Sequence, residues 1–222
     1  MIGNQKNQII TTAEALKIVF GPEIMKTYFP QAILQKEDGT FAFPKGQIRG
    51  SRDNLIKAFG GELALRDKFF KFAEEGRPLG LRLAVAAGMD IDARDETRAT
   101  ALMLAVRMGH KNCVAFLISR GAAVNMQYDE GWDALMLAAE NGRPECVQLL
   151  LDAGADRHAL NPFGRTAESL AKNMAERDWP ITSRDRIKQA HYKLCVKIFQ
   201  ETPSFSRKAF LNINSNAVYA PN

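Results

Sequence analysis

Hydrophobic and polar positions in the middle of this chain recur at a constant spacing, so that position 100 corresponds to position 133. The segment 100–106 reads Thr-Ala-Leu-Met-Leu-Ala-Val, and 133–139 reads Asp-Ala-Leu-Met-Leu-Ala-Ala. Gly109 recurs in the same register as Gly142. A fixed period of this length is typical of stacked-repeat architectures, in which each unit buries its apolar face against its neighbours.

Each repeat unit predicts two short antiparallel helices followed by a polar loop. Thr100 is a helix N-cap residue type and stands directly before an apolar run. Gly109 suits the left-handed turn after this first helix, and Gly121 suits the end of the second helix. In the next unit, Pro144 fits the first turn of the second helix. The pattern therefore predicts a helix–turn–helix–loop unit.

The register extends in both directions and predicts four repeat units between two flanking segments. The units are about 62–94, 95–127, 128–160 and 161–200, the N-terminal segment is 1–61, and the C-terminal tail is 201–222.

Units 95–127 and 128–160 resemble ankyrin repeats. They share the layout of that family and its Gly-His or Gly-Arg turn, at 109–110 and 142–143. The Thr-Pro-Leu-His start of the family is altered to Thr-Ala-Leu-Met at 100–103. The resemblance implies a mainly α ankyrin-repeat solenoid that binds proteins, without catalytic residues or a cofactor. In that family His110 would have a structural hydrogen-bonding role.

Residues 1–61 do not fit the repeat, and we expect a small mixed α/β cap there. A capping box at Thr11 predicts a helix to about Phe20. The segment 32–43 predicts a hairpin, and Asp53 predicts the N-cap of a further helix, Asn54–Phe59. The alternative interpretation makes residues 1–60 a separate functional module.

Residues 184–200 predict one closing helix with basic residues on its exposed side. We expect six apolar side chains to form its other face: Ile187, Tyr192, Leu194, Cys195, Ile198 and Phe199. The apolar tail after it is expected to fold back on the stack or to dock on a partner.

The net charge of +5 changes this picture little. The basic excess lies at the two ends, and no run of more than two consecutive Lys or Arg supports nucleic acid or membrane binding. No segment resembles a signal peptide or a membrane span. Three cysteines without a close pair fit a reducing compartment, and hence the cytoplasm.

The repeat register explains the residues that could carry chemistry as structural residues. His110, His158 and His191 do not lie at metal-ligand spacing, and Cys113 and Cys146 occupy equivalent core positions. We therefore predict no enzyme, no metal site and no cofactor. The loop aspartates are predicted turn residues: Asp90, Asp92 and Asp95.

Asn125 has two interpretations. The spacing of Leu117 and Val124 before it resembles the pattern that asparaginyl hydroxylases modify in ankyrin repeats. The other interpretation is an asparagine that stabilises its loop.

The variable positions of ankyrin repeats, carried onto this register, predict a concave surface that we call the predicted binding face. Its members are Glu96, Thr97, Arg107, Met108, Glu130, Trp132, Glu140, Asn141, Phe163 and Arg165. Trp132 and Phe163 are the informative members, because large aromatics near charges are typical of interface hot spots. The alternative for Trp132 is packing on Arg98 or Arg165 within the stack.

The sequence thus predicts a monomeric module that binds a protein partner through this face. The alternative is a host-directed bacterial effector or adaptor, delivered into a host cell, with its activity or targeting signal in residues 1–60.

Overall fold

The computed structural model describes residues 48–128, 131–177 and 183–202, and within these ranges the chain is helical with no β-strand. The helices are α1 (Ile48–Phe59), α2 (Glu62–Glu74), α3 (Pro78–Ala86), α4 (Ala101–Met108), α5 (Lys111–Ser119), α6 (Ala134–Glu140), α7 (Pro144–Asp152), α8 (Ala167–Glu176) and α9 (Ser183–Glu201). The mainly α prediction is confirmed. The predicted helix from Thr11, the hairpin within 32–43 and the tail after Thr202 lie outside the described residues.

The described residues divide into two compact regions, the first formed by those in 48–72 and 77–90 and the second by those in 73–76 and from 91 onward. The first contains α1, α3 and most of α2 around a core of aromatic and aliphatic side chains. The Phe59 and Phe72 rings meet edge to face at 6.1 Å, and Lys68 Nζ donates to the Phe59 carbonyl at 2.8 Å. This bond ties the end of α1 to α2.

The predicted N-cap Asp53 is wrong, because Asp53 lies inside α1 and is exposed. Arg49 and Arg52 before it are good helix formers, and a cap residue type does not by itself end a helix. The buried side chains Leu55 and Phe59 fix the helix from its other face.

In the second compact region, the first helix of each repeat unit begins at a side-chain cap, as predicted. Thr100 Oγ1 accepts from the Met103 amide at 3.4 Å, and Thr166 Oγ1 accepts from the Ser169 amide at 3.2 Å. Asp133 does the same with one carboxylate oxygen, at 2.8 Å. Each cap satisfies one of the amides that a helix N-terminus leaves without an intrahelical partner.

A tight loop precedes each of these caps, and we call these loops the hairpin tips. One backbone bond closes each tip, and the three bonds occupy equivalent positions of successive repeat units. They are Asp95 N–H to Ala99 O at 2.9 Å, Tyr128 N–H to Trp132 O at 2.9 Å, and Asn161 N–H to Arg165 O at 3.1 Å.

The helices α4 and α6 are buried over almost their whole length, whereas α5 and α7 bury one face. Cys113 on α5 and Cys146 on α7 are buried in equivalent core positions, as predicted, and Cys195 on α9 is buried too.

Polar side chains join successive loops. Asp92 accepts from the Ala123 amide at 2.9 Å, and Asn125, its equivalent in the next repeat unit, accepts from the Asp156 amide at 2.8 Å. The Asn125 amide also donates to the Gly154 carbonyl at 3.2 Å. These contacts fit the interpretation of Asn125 as a residue that stabilises its loop.

The predicted closing helix is confirmed as α9, which packs on α7 and α8. Tyr192, Cys195 and Phe199 are buried. The inward placement of two other residues is wrong, because Ile187 is 59% exposed and Leu194 is 45% exposed. A helix that packs along one side buries a narrower stripe than its apolar pattern suggests.

We predict that Asp133→Ala lowers the free energy of unfolding by about 1 kcal/mol, because it removes a helix cap. Asp133→Thr lowers it less, since the equivalent positions of the neighbouring units already use threonine as a cap. Equilibrium denaturation with urea measures both differences, and an alanine variant as stable as the wild type would contradict the cap.

The wild type and Asp133→Thr also give a pH test. Burial raises the pKa of Asp133, against the opposing effect of hydrogen bonds from the Met136 and Leu135 amides, and the nearby Asp156 raises it further. A raised carboxyl pKa contributes stability that is fully present below the unfolded pKa of about 3.9 and is lost as the pH rises through the folded pKa. The stability of the wild type relative to Asp133→Thr should therefore increase as the pH falls from 7 towards 4. A constant difference, or one that shrinks, would refute this.

We further predict that the three thiols do not react in the folded protein. Burial raises the pKa of Cys113 and Cys146 to about 11 and that of Cys195 to about 12, so almost no thiolate forms near neutral pH. With Ellman's reagent at pH 8, no thiol of the native protein should react rapidly, and three thiols should react after denaturation in guanidinium. One fast native thiol would show that a cysteine is accessible.

Candidate protein-binding site

The hairpin tip of unit 95–127 presents polar side chains on a fixed backbone. Glu96 and Thr97, two members of the predicted binding face, are exposed there. Asp95 accepts from the Thr97 amide at 2.8 Å, from its hydroxyl at 2.7 Å and from the Ala99 amide at 2.9 Å. The Asp95 carboxylate thus closes the tip internally, and Glu96 and Arg98 are its exposed charged residues.

The hairpin tip at 161–165 is built the same way but presents an aromatic and a basic group. Asn161 is buried, and its Oδ1 accepts from the Phe163 and Arg165 amides at 3.0 Å each. Phe163 is 68% exposed, and the Arg165 side chain is exposed beside it.

The end of α4 contributes Arg107 and Met108 to the predicted binding face. Met108 is 43% exposed. Arg107 forms an ion pair with Glu74 at 3.4 Å, with both side chains about half exposed. An exposed pair of this kind contributes little to stability, so Arg107 is available to exchange Glu74 for an acidic partner group at small cost.

The end of α6 contributes Glu140 and Asn141, which are both half-buried. Burial raises the pKa of Glu140, and the positive charge of Arg165 opposes that shift. The Asn141 amide donates to the Leu137 carbonyl at 2.9 Å, so this side chain is engaged with its own helix.

Trp132 lies at the hairpin tip of unit 128–160 and is half-buried. Its carbonyl accepts from the Tyr128 amide. Cations lie over the rings of Phe59, Phe72 and Phe116. Glu130, the remaining predicted member of the face, lies outside the described residues.

Three side chains that bond the backbone beneath the predicted binding face were not among its predicted members. Each donates to the carbonyl at the end of a first helix: His110 to Glu74 at 2.9 Å, Arg143 to Arg107 at 3.2 Å, and Tyr192 to Glu140 at 3.0 Å. The structural role that the resemblance implies for His110 is thus observed. The three acceptors, Glu74, Arg107 and Glu140, occupy equivalent positions of the repeat register, which is visible in the sequence. No periodic signal marks Tyr192 as a donor.

A metal site and a membrane span are two other kinds of site whose requirements can be compared with the described residues. Among them, no three His, Cys, Asp or Glu side chains are placed to hold a metal ion. Within those same ranges, every helix is too short or too polar to cross a bilayer.

Comparison with known proteins agrees with the repeat register. A family model described as ankyrin repeats, in three copies, matches residues 70–161. Ankyrin repeat domain-containing protein 29 of Danio rerio is 38% identical over 71 residues, which are 32% of this chain and 24% of that protein. The chain thus spans about a quarter of the length of this relative. With the caps, turns and hairpin tips described above, these matches show that residues 70–161 are ankyrin repeats.

Proposed function

We propose that this chain binds a protein partner through the predicted binding face. Ankyrin repeats are generally protein–protein interaction modules, and the typical family member is not an enzyme. The observation that carries the proposal is the exposure of two large apolar side chains on this face, Phe163 and Met108.

The repeat register gives these two residues no structural reason to be apolar. The positions equivalent to Phe163 are Thr97 and Glu130, and those equivalent to Met108 are Glu75 and Asn141. Other units of the same fold therefore manage with polar side chains there. An apolar group left in water at such a position is best explained by a partner that covers it.

The backbone beneath the face is fixed before a partner arrives. The Asp95 and Asn161 side chains close two of the hairpin tips, and the Arg107 and Glu140 carbonyls accept hydrogen bonds from Arg143 and Tyr192. Binding to such a surface orders few loops, so less of the interaction free energy is lost to entropy.

The charges of the face suggest what surrounds an apolar anchor on the partner. The exposed arginines Arg107 and Arg165 lie within two residues of Met108 and Phe163 in the chain, whereas Glu140 is half-buried and the exposed Glu96 lies on the hairpin tip 95–99. Exposed guanidinium groups bind carboxylates in a bidentate manner. We therefore favour a partner segment with an apolar side chain among acidic ones. We also propose that the chain is monomeric and, from its three cysteines without a close pair, that it works in the reducing cytoplasm.

We predict that Trp132→Ala together with Phe163→Ala abolishes capture of the partner, because aromatic hot spots contribute about 2 kcal/mol or more each, or roughly 30-fold in affinity. Affinity capture from a lysate, followed by quantitative mass spectrometry, measures this loss. Phe163→Ala alone is the cleaner variant, since its side chain is exposed and its loss leaves no cavity.

Leu63→Ala is the matched control, because Leu63 is 73% exposed and belongs to the other compact region. It should capture the same proteins as the wild type. Equal capture by the wild type and the double variant, at equal thermal stability, would exclude this face.

A further inference from the structure

Three equivalent turns are each covered by one side chain from the following repeat unit. A Cβ atom placed on Gly76 would lie 2.5 Å from the His110 ring, and one on Gly109 would lie 2.7 Å from Arg143 Cδ. His110 and Arg143 occupy the same register position in successive repeat units, so these two contacts are one contact repeated.

The third contact breaks this pattern. The register places residue 176 opposite Gly142, yet the group over that glycine is the Tyr192 ring, 3.0 Å from where a Cβ would lie. Tyr192 is in the middle of α9, one helix beyond the register position. Its hydroxyl donates to the Glu140 carbonyl at 3.0 Å, as Arg143 donates to the Arg107 carbonyl. A residue of the closing helix thus replaces the turn residue of a further repeat.

The far end of α9 is held independently. The Arg157 guanidinium donates to the Phe199 and Thr202 carbonyls and lies 3.7 Å from Glu168. A cation on the free carbonyls of a helix C-terminus is favourable because it also meets the negative end of the helix dipole. With this end fixed, Tyr192 reaches the α6 turn from a defined position.

We infer that Tyr192 is a positioning residue for Glu140 and Asn141 of the predicted binding face. The inference rests on the proposed function, since it concerns the same face. Tyr192 holds the carbonyl of Glu140 itself and covers Gly142, in the turn that follows. Burial raises the pKa of the Tyr192 phenol, with a further contribution from the Glu140 carboxylate, so the hydroxyl keeps its proton and remains a donor.

Tyr192→Phe is the variant that tests this, because it keeps the ring over Gly142 and removes only the hydroxyl. Hydrogen exchange of the amides in 138–144 should become roughly 2- to 12-fold faster, the range expected for the loss of one hydrogen bond. Exchange near the C-terminus of α9 should not change, because Arg157 holds that end. Lys193→Ala is the matched control, since Lys193 is the exposed neighbour of Tyr192, and it should leave both segments unchanged.

The binding arm uses the proteins that the wild type captures and Phe163→Ala loses. Measured well below its melting temperature, Tyr192→Phe should capture these proteins less well than Lys193→Ala, by a factor similar to the change in exchange. A residue that only stabilised the fold would lower the melting temperature and leave capture below that temperature intact.

The outcomes separate the two claims. If exchange in 138–144 is the same in Tyr192→Phe and the wild type, the inference fails and the proposed function stands. Faster exchange with unchanged capture also overturns the positioning role. If the wild type captures nothing that Phe163→Ala loses, the proposed function fails, and the role of Tyr192 in binding fails with it.

Discussion

The structure of the second compact region depends on one recurring contact, between a side chain of one element and the turn of the preceding repeat unit. The donor bonds a carbonyl in the last turn of a first helix and covers the glycine two residues after it. Gly109 and Gly142 have φ values of 82° and 60°, which residues other than glycine rarely adopt. A Cβ atom at either position would also collide with the covering side chain. Each bond contributes only about 1 kcal/mol, but it fixes how neighbouring units meet and so how they share a core.

This contact also links the stability of the fold to the predicted binding face. The helix ends that receive the bonds, at Arg107 and Glu140, are the ends that contribute to the predicted binding face. The hairpin tips are fixed separately, by Asp95 and Asn161. Hydrogen bonds from neighbouring units therefore fix the backbone that carries the side chains of the predicted binding face. A substitution remote from that face, in α9, is expected to alter the face.

The repeat units were predictable from the sequence because residues that make the same contact in each unit recur at a fixed spacing. Thr100 and Asp133 were identifiable as caps from their place before the apolar runs, and His110 from its turn. Tyr192 and Arg157 were not, because each acts once, between a repeat and a helix outside the period. Amphipathic pattern alone also misplaced Ile187 and Leu194, since it does not reveal how many sides of a helix are covered.

The central claim is that α9 belongs to the repeat stack through the bonds of Tyr192 and Arg157 and does not merely lie against it. Native-state hydrogen exchange of the wild-type chain, followed through low concentrations of denaturant, tests this most directly. We expect the slowest amides of α9 around Tyr192 and those of α6 to open with the same free energy and the same denaturant dependence. Opening of α9 in a separate step of lower free energy, while α6 stays protected, would contradict it.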